Sequence, residues 1–498
     1  MTLSKKGARW LIAVVVVIAI MALGLVLAGP SVTHFVAHEI RKQYGDRVQM
    51  TNLHVRLFPA IRISAEEISV PSKNGSGALI SIDRLNGETN WAAALAGHVR
   101  VVRLEGLKIS IPPRRGSAGL HQENKPAKAW LSADRVIADG AVLEIFPKQA
   151  GKEPLQFDLY RLTVRGAGAD RAMSFETVMK NAKPPGEIHS AGKFGPWQFE
   201  DPAATPVSGS YTFRDADLAV FKGISGTLSS DGNYHGVLDH IEVDGSTDTP
   251  NFALRISGNP VDLRCRFHAI VDGANGNTYL DPVEGHFGGS TVIARGDIVR
   301  QDHQPGRLVT LDSTVTGGRL EDLLRLAIHS PEVMTGAVSF HSKIVIPPGD
   351  MDVIQKLQLD GAFMVGQAHF SKLNVQQKIN ELSHRGRGEP QEAKAGDIAS
   401  NFRGHFKLDH GVMTFSGLSF DVPGVRIALN GTYGLLDQKM DLRGTATLQA
   451  KLSQTTTGWK SVLLKIINPF FEKKNAGAVL PIHIGGTSKS PRFGLSGP

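Results

Sequence analysis

Hydrophobic residues recur at every second position through most of this 498-residue chain. From Val48 onward, apolar alternations such as Leu53, Val55 and Leu57 are separated by turns rich in glycine, proline and asparagine. A period of two is typical of half-buried strands with one apolar and one solvated face, and short turns favour antiparallel pairing. The pattern therefore predicts a mainly β protein, with an antiparallel meander over most of residues 48–450.

A few stretches have helical spacing instead. Residues 91–95, 320–327 and 375–384 are predicted as short helices. A further amphipathic helix is predicted to start at Ser31, a good N-cap residue, and to end at Gly45. It either lies on a membrane surface or plugs the end of the β core, and the sequence favours neither alternative.

The most regular helical stripe lies near the C-terminus, where apolar residues follow one another at i, i+3, i+4, i+7, i+8, i+11 and i+12. Lysines occupy other positions, and Pro469 is expected to bend or end the helix. The helix is either a gate or membrane contact at one end of the sheet, or an ordinary cap on a sheet end. The stripe consists of Trp459, Val462, Leu463, Ile466, Ile467, Phe470 and Phe471.

One run breaks the β pattern completely, because residues 10–28 contain no charged side chain. As a helix this run spans roughly 28 Å, close to the ~30 Å hydrocarbon core of a bilayer. Lys5, Lys6 and Arg9 precede it, so we expect residues 1–9 in the cytoplasm and the rest on the far side. A cleaved signal peptide is the alternative, but the run is long for one and a proline follows the candidate cleavage site. The predicted anchor includes Trp10, Leu11, Val14, Val15, Val16, Val17, Ile18, Ile20, Leu23, Leu25, Val26 and Leu27.

The full sequence has 41% hydrophobic and 20% charged residues, a composition that places the exported part among folded proteins. The single cysteine excludes an internal disulfide framework, and alternation puts Cys265 on an apolar strand face as a structural thiol. Net charge is +8, but the basic residues are spread along the chain without a nucleic-acid-binding signature. We therefore expect contacts with anionic headgroups and no nucleic-acid partner.

No motif for catalysis is found: the chain lacks a Walker loop, a dinucleotide fingerprint, a nucleophile elbow and a zinc-protease motif. Adjacent carboxylates such as Glu66 and Glu67 are typical of solvated strand edges. Residues 272–278 look like a calcium loop but lack the distal acidic ligand, so they are interpreted as a hairpin turn. The sequence thus predicts no enzyme activity, no metal site and no cofactor.

Changes in composition suggest a domain organisation. Residues 181–206 are rich in proline and glycine and are interpreted as a linker. It separates an N-terminal β region (29–180) from a central β region (207–300) and a C-terminal β region with amphipathic helices (301–498).

Both ends of the exported chain resemble the AsmA-like family. The N-terminal resemblance rests on LHVRLFPAIRIS at residues 53–64 and GHVRVVRLEGLKISIP at 97–112. The C-terminal resemblance rests on NPFF at 468–471, LPIHIGGT at 480–487 and PRF at 491–493. These motifs are loose patterns, and residues 207–300 depart most from the family.

The resemblance implies an envelope protein of Gram-negative bacteria, held in the inner membrane by one helix, with most of the chain in the periplasm. Family members are similar to bridge-like lipid transfer proteins, in which an elongated, curved antiparallel β-sheet forms an apolar groove. Phospholipid transport or outer-membrane biogenesis is the implied function, and membrane lipids are the implied partners. The alternative is a structural or regulatory envelope protein that affects outer-membrane protein assembly through protein contacts. The predicted groove lining is Leu53, Val55, Leu57, Leu107, Ile109 and Ile111.

Overall fold

A computed structural model confirms a mainly β protein with few helices. It describes residues 32–34, 37–38, 48–71, 78–113, 132–146, 154–168, 171–198, 201–301, 304, 306–329, 334–370, 400–448, 479–488 and 490–495. Of these residues, 73% are in strands. None of the helices in these ranges is long and apolar enough to cross a membrane. The predicted anchor at residues 10–28 lies outside the described residues.

The chain divides into two compact units, which are described separately. Unit 1 comprises residues 1–214, 231–244 and 270–276, and unit 2 comprises the rest. The helical segment predicted at 91–95 is confirmed as α1 (Trp91–Leu95), whose first turn is capped by the Asn90 side chain. The strands of unit 1 are β1 (Gln49–Arg56), β2 (Ile61–Pro71), β3 (Ala78–Thr89), β4 (His98–Glu105), β5 (Lys108–Ile111), β6 (Ser132–Ile145), β7 (Leu155–Ala167), β8 (Met173–Ala182), β9 (Pro185–Phe194) and β10 (Pro206–Asp217).

Unit 2 follows the predicted meander more closely. After β11 (Ile224–Ser225), the strands β12 (Thr227–Val237), β13 (His240–Leu254) and β14 (Val261–Val271) contribute residues to both units, as does β10. Two short helices interrupt the later strands, α2 (Leu320–Ala327), as predicted, and α3 (Val353–Lys356). The later strands are β15 (Thr278–Phe287), β16 (Ser290–Arg300), β17 (Arg307–Arg319), β18 (Met334–Ile346), β19 (Gln358–Phe370), β20 (Ser400–Asp409), β21 (Val412–Val422), β22 (Val425–Gly434), β23 (Lys439–Leu448), β24 (Val479–Thr487) and β25 (Ser490–Leu495).

Two pairings depart from the predicted antiparallel meander, because β6 runs parallel to β4 and to β5. Gly106 has a φ of 65° and separates β4 from β5, so the two short strands both pair with β3. Parallel neighbours need a connection of about a dozen residues or more. Residues 112–131 supply that connection, which lets the chain return to the start of β4 before it enters β6.

The interpretation of residues 181–206 as a linker is wrong for most of the segment. Its central part forms β9, which pairs antiparallel with β8 and β10. Within β9, proline occurs only at the strand start, as Pro185, and Pro184 and Pro196 lie in the flanking turns, where the missing N–H does not interrupt a ladder. In contrast, residues 272–277 form a turn rather than a calcium-loop helix start, and Asp272 Oδ1 accepts the Ala274 N–H at 2.8 Å.

Candidate functional site

Strand β20 shows how the sequence gives unit 2 one apolar and one polar face. Successive side chains of a strand point to opposite sides of the sheet, so alternate residues share a face. Arg403, His405 and Lys407 are exposed, which identifies the polar face. The apolar face carries the intervening residues Phe402, Gly404, Phe406 and Leu408, which are half-buried or buried.

Strand register joins these alternating residues into continuous rows, because directly opposed residues lie on the same face. From β16 to β23, every pair of neighbouring strands is antiparallel. One row therefore runs across eight strands without a charged residue. It consists of Gly296, Leu311, Ile344, Leu359, Leu408, Met413, Tyr433 and Met440.

Aromatic side chains on this face lie opposite glycines of the next strand. A Cβ atom on Gly404 would lie 3.1 Å from the Cα of Leu418 and 3.4 Å from Phe363, so glycine gives the ring room. The Phe363 and Phe402 ring centroids are 5.3 Å apart, in an edge-to-face arrangement. The rings thus form a packed apolar surface. The opposed pairs are Phe363 with Gly404, Phe406 with Gly361, and Phe415 with Gly431.

A parallel row of small residues crosses the same face between two rows of large ones. It contains Ala294, Ser313, Ser342 and Gly361 in register. Ser313 Oγ donates to the Ser342 carbonyl oxygen at 2.9 Å, so its hydroxyl is satisfied by the backbone. Ser342 Oγ lies 3.4 Å from the Asp360 carbonyl oxygen on the next strand. Because the hydroxyls turn to the backbone, this row adds little polarity to the apolar face.

Burial differs sharply between the two ends of this face. The strand ends next to α2, called here the α2 end, hold one cluster of fully buried side chains, against which Leu320 and Leu323 of α2 pack. The opposite strand ends, called the distal end, carry large apolar residues that remain half-buried on β16 to β19, whereas Leu408 of β20 is buried. The α2-end cluster is Val338, Val365, Ala368, Leu418, Phe420, Val422, Val425, Ile427, Leu429, Ala446 and Leu448. The half-buried distal residues of β16 to β19 are Ile298, Val309, Leu311, Ile344, Ile346 and Leu359.

Hydrogen bonds hold helix α2 in place at both of its ends. At its N-terminus, Asp322 Oδ2 accepts hydrogen bonds from the Gly289 N–H and the Ser290 hydroxyl, each at 2.8 Å. At its C-terminus, Asn259 Nδ2 donates to the Arg325 carbonyl oxygen at 3.1 Å. The Asn259 bond satisfies a carbonyl group at the end of the helix that would otherwise lack a partner, and the Asp322 bonds attach the first turn of α2 to the turn between β15 and β16.

Glu321 ties the first turn of α2 to the neighbouring strand. Its carboxylate accepts hydrogen bonds from Arg319 Nε at 2.7 Å and from the Gly336 N–H at 3.4 Å. Burial raises the pKa of the Glu321 carboxyl, but hydrogen bonds from its own N–H, from Arg319 and from Gly336 outweigh burial and lower the pKa overall. The ionised form is therefore the one that stabilises this contact.

The opposite face of unit 2 is covered by exposed ion pairs. Asp441 accepts hydrogen bonds from Arg443 at 3.1 Å and from His483 at 2.8 Å, which lower the pKa of its carboxyl. Arg426 and Asp421 form a similar pair at 2.8 Å. Solvent-exposed pairs of this kind contribute little to stability, so this face is a solvated surface rather than a site.

Unit 1 buries four of the six residues predicted to line a groove. Val55 and Leu57 form a cluster with Ile61, against which Val32 and Ala94 pack. Val32 belongs to the amphipathic helix that is predicted to start at residue 31. Its packing against this cluster agrees with the alternative in which that helix plugs the end of the β core. Leu107 and Ile111 are also buried, Ile111 to 1% exposure. Only Leu53 and Ile109 are half-buried, and contact of the six residues with lipid stays a prediction.

The apolar face of unit 1 includes several hydroxyl groups. Thr177 lies opposite Ser190, and Ser190 lies opposite Tyr211. Ser190 Oγ is 2.7 Å from the Tyr234 hydroxyl, and burial raises the pKa of that tyrosine although the Ser190 bond lowers it. In unit 2, burial likewise raises the pKa of the half-buried Cys265 thiol, although a hydrogen bond with Thr247 lowers it. These groups have the environment of structural residues.

Sequence reasoning missed the larger apolar face in unit 2. The alternation Phe402-x-Gly404-x-Phe406-x-Leu408 carries the same signal that identified Ile109 and Ile111. The predicted gate helix at residues 459–471 lies outside the described residues, although β23 ends and β24 starts at the α2 end. Comparisons of the chain with protein-family models, with curated proteins and with solved structures find no match.

Proposed function

We propose that this protein is a membrane-anchored envelope protein that holds the hydrocarbon chains of membrane lipids on its apolar sheet faces. Residues 10–28 would be a single-pass helix in a bacterial inner membrane, and the β units would be periplasmic. The faces would line an elongated groove, in agreement with the resemblance to the AsmA-like family. Lipid transport or outer-membrane biogenesis is the process this activity serves.

The distal end of unit 2 carries this proposal. On β16 to β19, its large apolar side chains lie in register yet remain half-buried. Exposed apolar surface costs about 25 cal/mol per Å², so a continuous exposed patch indicates a partner. Transfer of a 16-carbon chain into water costs on the order of 12 kcal/mol, and an apolar face recovers most of this cost without any reaction.

A second function is favoured by the α2 end. There the apolar residues are fully buried, as in an ordinary core. If the whole face were closed in this way, the protein would be a structural or regulatory component that acts through contacts with outer-membrane or other envelope proteins. The two functions therefore differ in one respect, which is whether hydrocarbon reaches the distal end.

Photo-crosslinking in intact cells tests the proposal. A photoreactive phenylalanine analogue is placed at Leu442, which is half-buried on the apolar face of β23, and in a matched variant at Arg443, which is exposed on the opposite face. The full chain is irradiated and purified in detergent, and lipid adducts are identified by mass spectrometry. We expect adducts at position 442 and none at position 443.

Two outcomes would contradict the proposed lipid-binding function. Adducts with protein but not with lipid at position 442 would favour the structural function. Lipid adducts at both positions would indicate nonspecific contact with the membrane and would remove support for a lipid-binding face.

A further inference from the structure

Three large apolar side chains are exposed at one end of the unit 1 sheet. Phe58 lies in the turn between β1 and β2, and Trp91 and Leu95 are the first and last residues of α1. Their side chains are 44%, 46% and 86% exposed, respectively. Single exposed apolar residues are common on protein surfaces, but several at one place indicate a contact surface. These three residues are called here the α1-end surface.

Strand register brings the two segments that carry this surface together. Ile61, the first residue of β2, lies directly opposite Thr89, the last residue of β3. The β1–β2 turn therefore ends, and the connection to α1 begins, at one pair of opposed residues. Ala94 of α1 packs against the buried cluster that contains Leu57 and Ile61. The members of the α1-end surface thus belong to segments that are in direct contact.

The residues that follow the predicted membrane anchor reach the same end of the sheet. Val32 packs against the cluster that contains Val55 and Leu57, and Thr33 Oγ1 accepts the Val55 N–H at 3.2 Å. Only residues 29–31 separate Val32 from the end of the predicted anchor. Because consecutive Cα atoms are 3.8 Å apart, Val32 lies at most about 15 Å from the last residue of the anchor.

The distribution of charge agrees with a membrane contact at this end. Residues 57–61 and 89–99 contain no Asp, Glu, Lys or Arg. Aromatic side chains favour the headgroup level of a bilayer, and nearby basic side chains are attracted to anionic headgroups. Three of the four charged residues that border the two segments are basic. The bordering residues, all exposed, are Arg56, Arg62, Glu88 and Arg100.

We propose that Phe58, Trp91 and Leu95 insert into the headgroup layer of the membrane that holds the anchor. This inference rests on the proposed membrane anchor at residues 10–28. A hydrocarbon core of ~30 Å in a bilayer of roughly 40–45 Å leaves about 5–8 Å for each headgroup layer. The reach of about 15 Å between the anchor and Val32 therefore keeps this end of unit 1 at or near that layer. Insertion would place the apolar face of unit 1 next to the lipids that the protein is proposed to hold.

The test measures whether single sites of the full chain contact a bilayer. The chain carries Cys265→Ser, which removes its only thiol, and is reconstituted into vesicles of phosphatidylethanolamine and phosphatidylglycerol. The fluorophore NBD is attached to a new cysteine at Leu95→Cys or, as the matched control, at Phe146→Cys. Lipids that carry a nitroxide near the headgroup are included as quenchers, and flotation shows whether the chain stays with the vesicles.

Phe146 is a suitable control because it is an exposed aromatic residue at the other end of the same sheet. Its side chain is 37% exposed. Strand β6 starts beside His98, next to α1, and runs for 14 residues before it reaches Phe146. At roughly 3.3 Å per residue, the control position is on the order of 40 Å from the α1-end surface.

We expect the nitroxide lipids to quench the fluorophore at position 95 strongly and at position 146 not at all. The double variant Phe58→Ser/Trp91→Ser should lose most of the quenching at position 95, because two of the three inserted side chains are removed. The matched variant Phe146→Ser/Tyr160→Ser removes two exposed aromatic residues elsewhere in unit 1 and should leave that quenching unchanged. All variants should float with the vesicles, since each keeps the anchor.

Absence of quenching at position 95 in a chain that floats would overturn this inference and leave the proposed anchor standing. A chain that does not float would remove the anchor and the inference together. Equal quenching at both positions would indicate nonspecific contact and would also overturn it.

A protein partner is the alternative occupant of the α1-end surface. A photoreactive phenylalanine analogue at position 91 distinguishes the two occupants in intact cells. Adducts with lipid would support the membrane contact, whereas adducts with protein alone would overturn it. Melting temperatures check folding, and Trp91→Ser alone replaces the double variant if that variant is unfolded.

Discussion

Val365 and Leu359 lie on the same face of the same strand, β19, and differ completely in burial. Val365 is 0% exposed at the α2 end, where it lies opposite Val338 and Phe402. Leu359 is half-buried at the distal end, where it lies opposite Ile344 and Leu408. Both side chains are apolar and both have apolar neighbours in the sheet. The difference therefore arises from what lies over the sheet rather than from the sheet itself.

One connection between strands, the one that contains α2, contributes to this difference. The chain between β17 and β18, which contains α2, the chain between β19 and β20, and the chain between β23 and β24 all join strands at the α2 end. They are the longest connections of unit 2 beyond β15. The distal end has shorter turns, such as that between Asp409 and Val412. Leu320 and Leu323 of α2, in the first of these connections, pack against the α2-end cluster.

The largest effect is expected from a charge at each end of β19. Val365→Asp places an unpaired carboxylate in a fully buried site and should destabilise unit 2 by roughly 4 kcal/mol or more. Leu359→Asp, on the same face, should cost only about 1–2 kcal/mol because the new carboxylate reaches solvent. Chemical denaturation of both variants measures the difference, and lipid that co-purifies should fall only in the folded Leu359→Asp variant.

Similar losses of stability in these two variants would contradict the distinction between the ends. Leu359 would then be as much a core residue as Val365. Val365→Ala provides a control without a buried charge, since it removes only part of an apolar side chain.

The predicted helix at residues 459–471 offers a second way to separate the ends, since its flanking strands join at the α2 end. If this segment covers apolar surface, Ile466→Asp should lower the unfolding free energy by roughly 2–5 kcal/mol. If it is a membrane contact or gate, the melting temperature should stay nearly constant and binding of the full chain to added liposomes should weaken. A variant unchanged in both measurements would remove this segment from the mechanism.

Unit 1 contains an analogous pair on β5. Ile109 is half-buried opposite Ile80 and Leu143, whereas Ile111 is 1% exposed. We expect Ile109→Asp to cost about 1–2 kcal/mol, to preserve the fold and to lower co-purified lipid. Ile111→Asp should instead unfold unit 1. Thermal melting and lipid mass spectrometry test both variants, and unchanged lipid in folded Ile109→Asp would argue for a closed face in this unit.

Local periodicity predicted the helices and strands of this fold well, because the spacing of apolar residues that defines an element lies within that element. Helix α2 and the strands of unit 2 follow directly from it. Local periodicity did not predict which strands pair, because β6 pairs parallel with β4 and β5 after a long connection. Composition also misled the interpretation of residues 185–194, whose glycine and serine residues fill an apolar face opposite larger side chains, as in Phe175 with Gly192.

The candidate site was predictable only in part for a similar reason. Alternation alone assigns Leu311 and Ile344 to the apolar face, but only strand register places them opposite each other. Burial is less accessible still. Leu107 and Ile109 have the same pattern in the sequence, yet Leu107 is buried and Ile109 is half-buried. The sequence indicates on which face of the sheet a side chain lies, whereas the burial of that side chain depends on segments that are distant in the sequence.

A smaller effect, dependent on pH, should appear at the α2 end and not at the distal end. The folded-state pKa of Glu321 is lowered below its ordinary value of 4.5, mainly through hydrogen bonds that outweigh burial. A lowered carboxyl pKa stabilises the fold above the ordinary pKa, and this contribution is lost as the pH falls through the lower, folded-state pKa. Amide hydrogen exchange in α2 should therefore speed up as the pH falls below about 4.5, after correction for intrinsic rates. Glu321→Gln should speed up exchange at neutral pH and remove part of this pH dependence. Exchange in α2 of the parent protein that follows pH only through the intrinsic rates would show that Glu321 does not hold the helix on the α2 end.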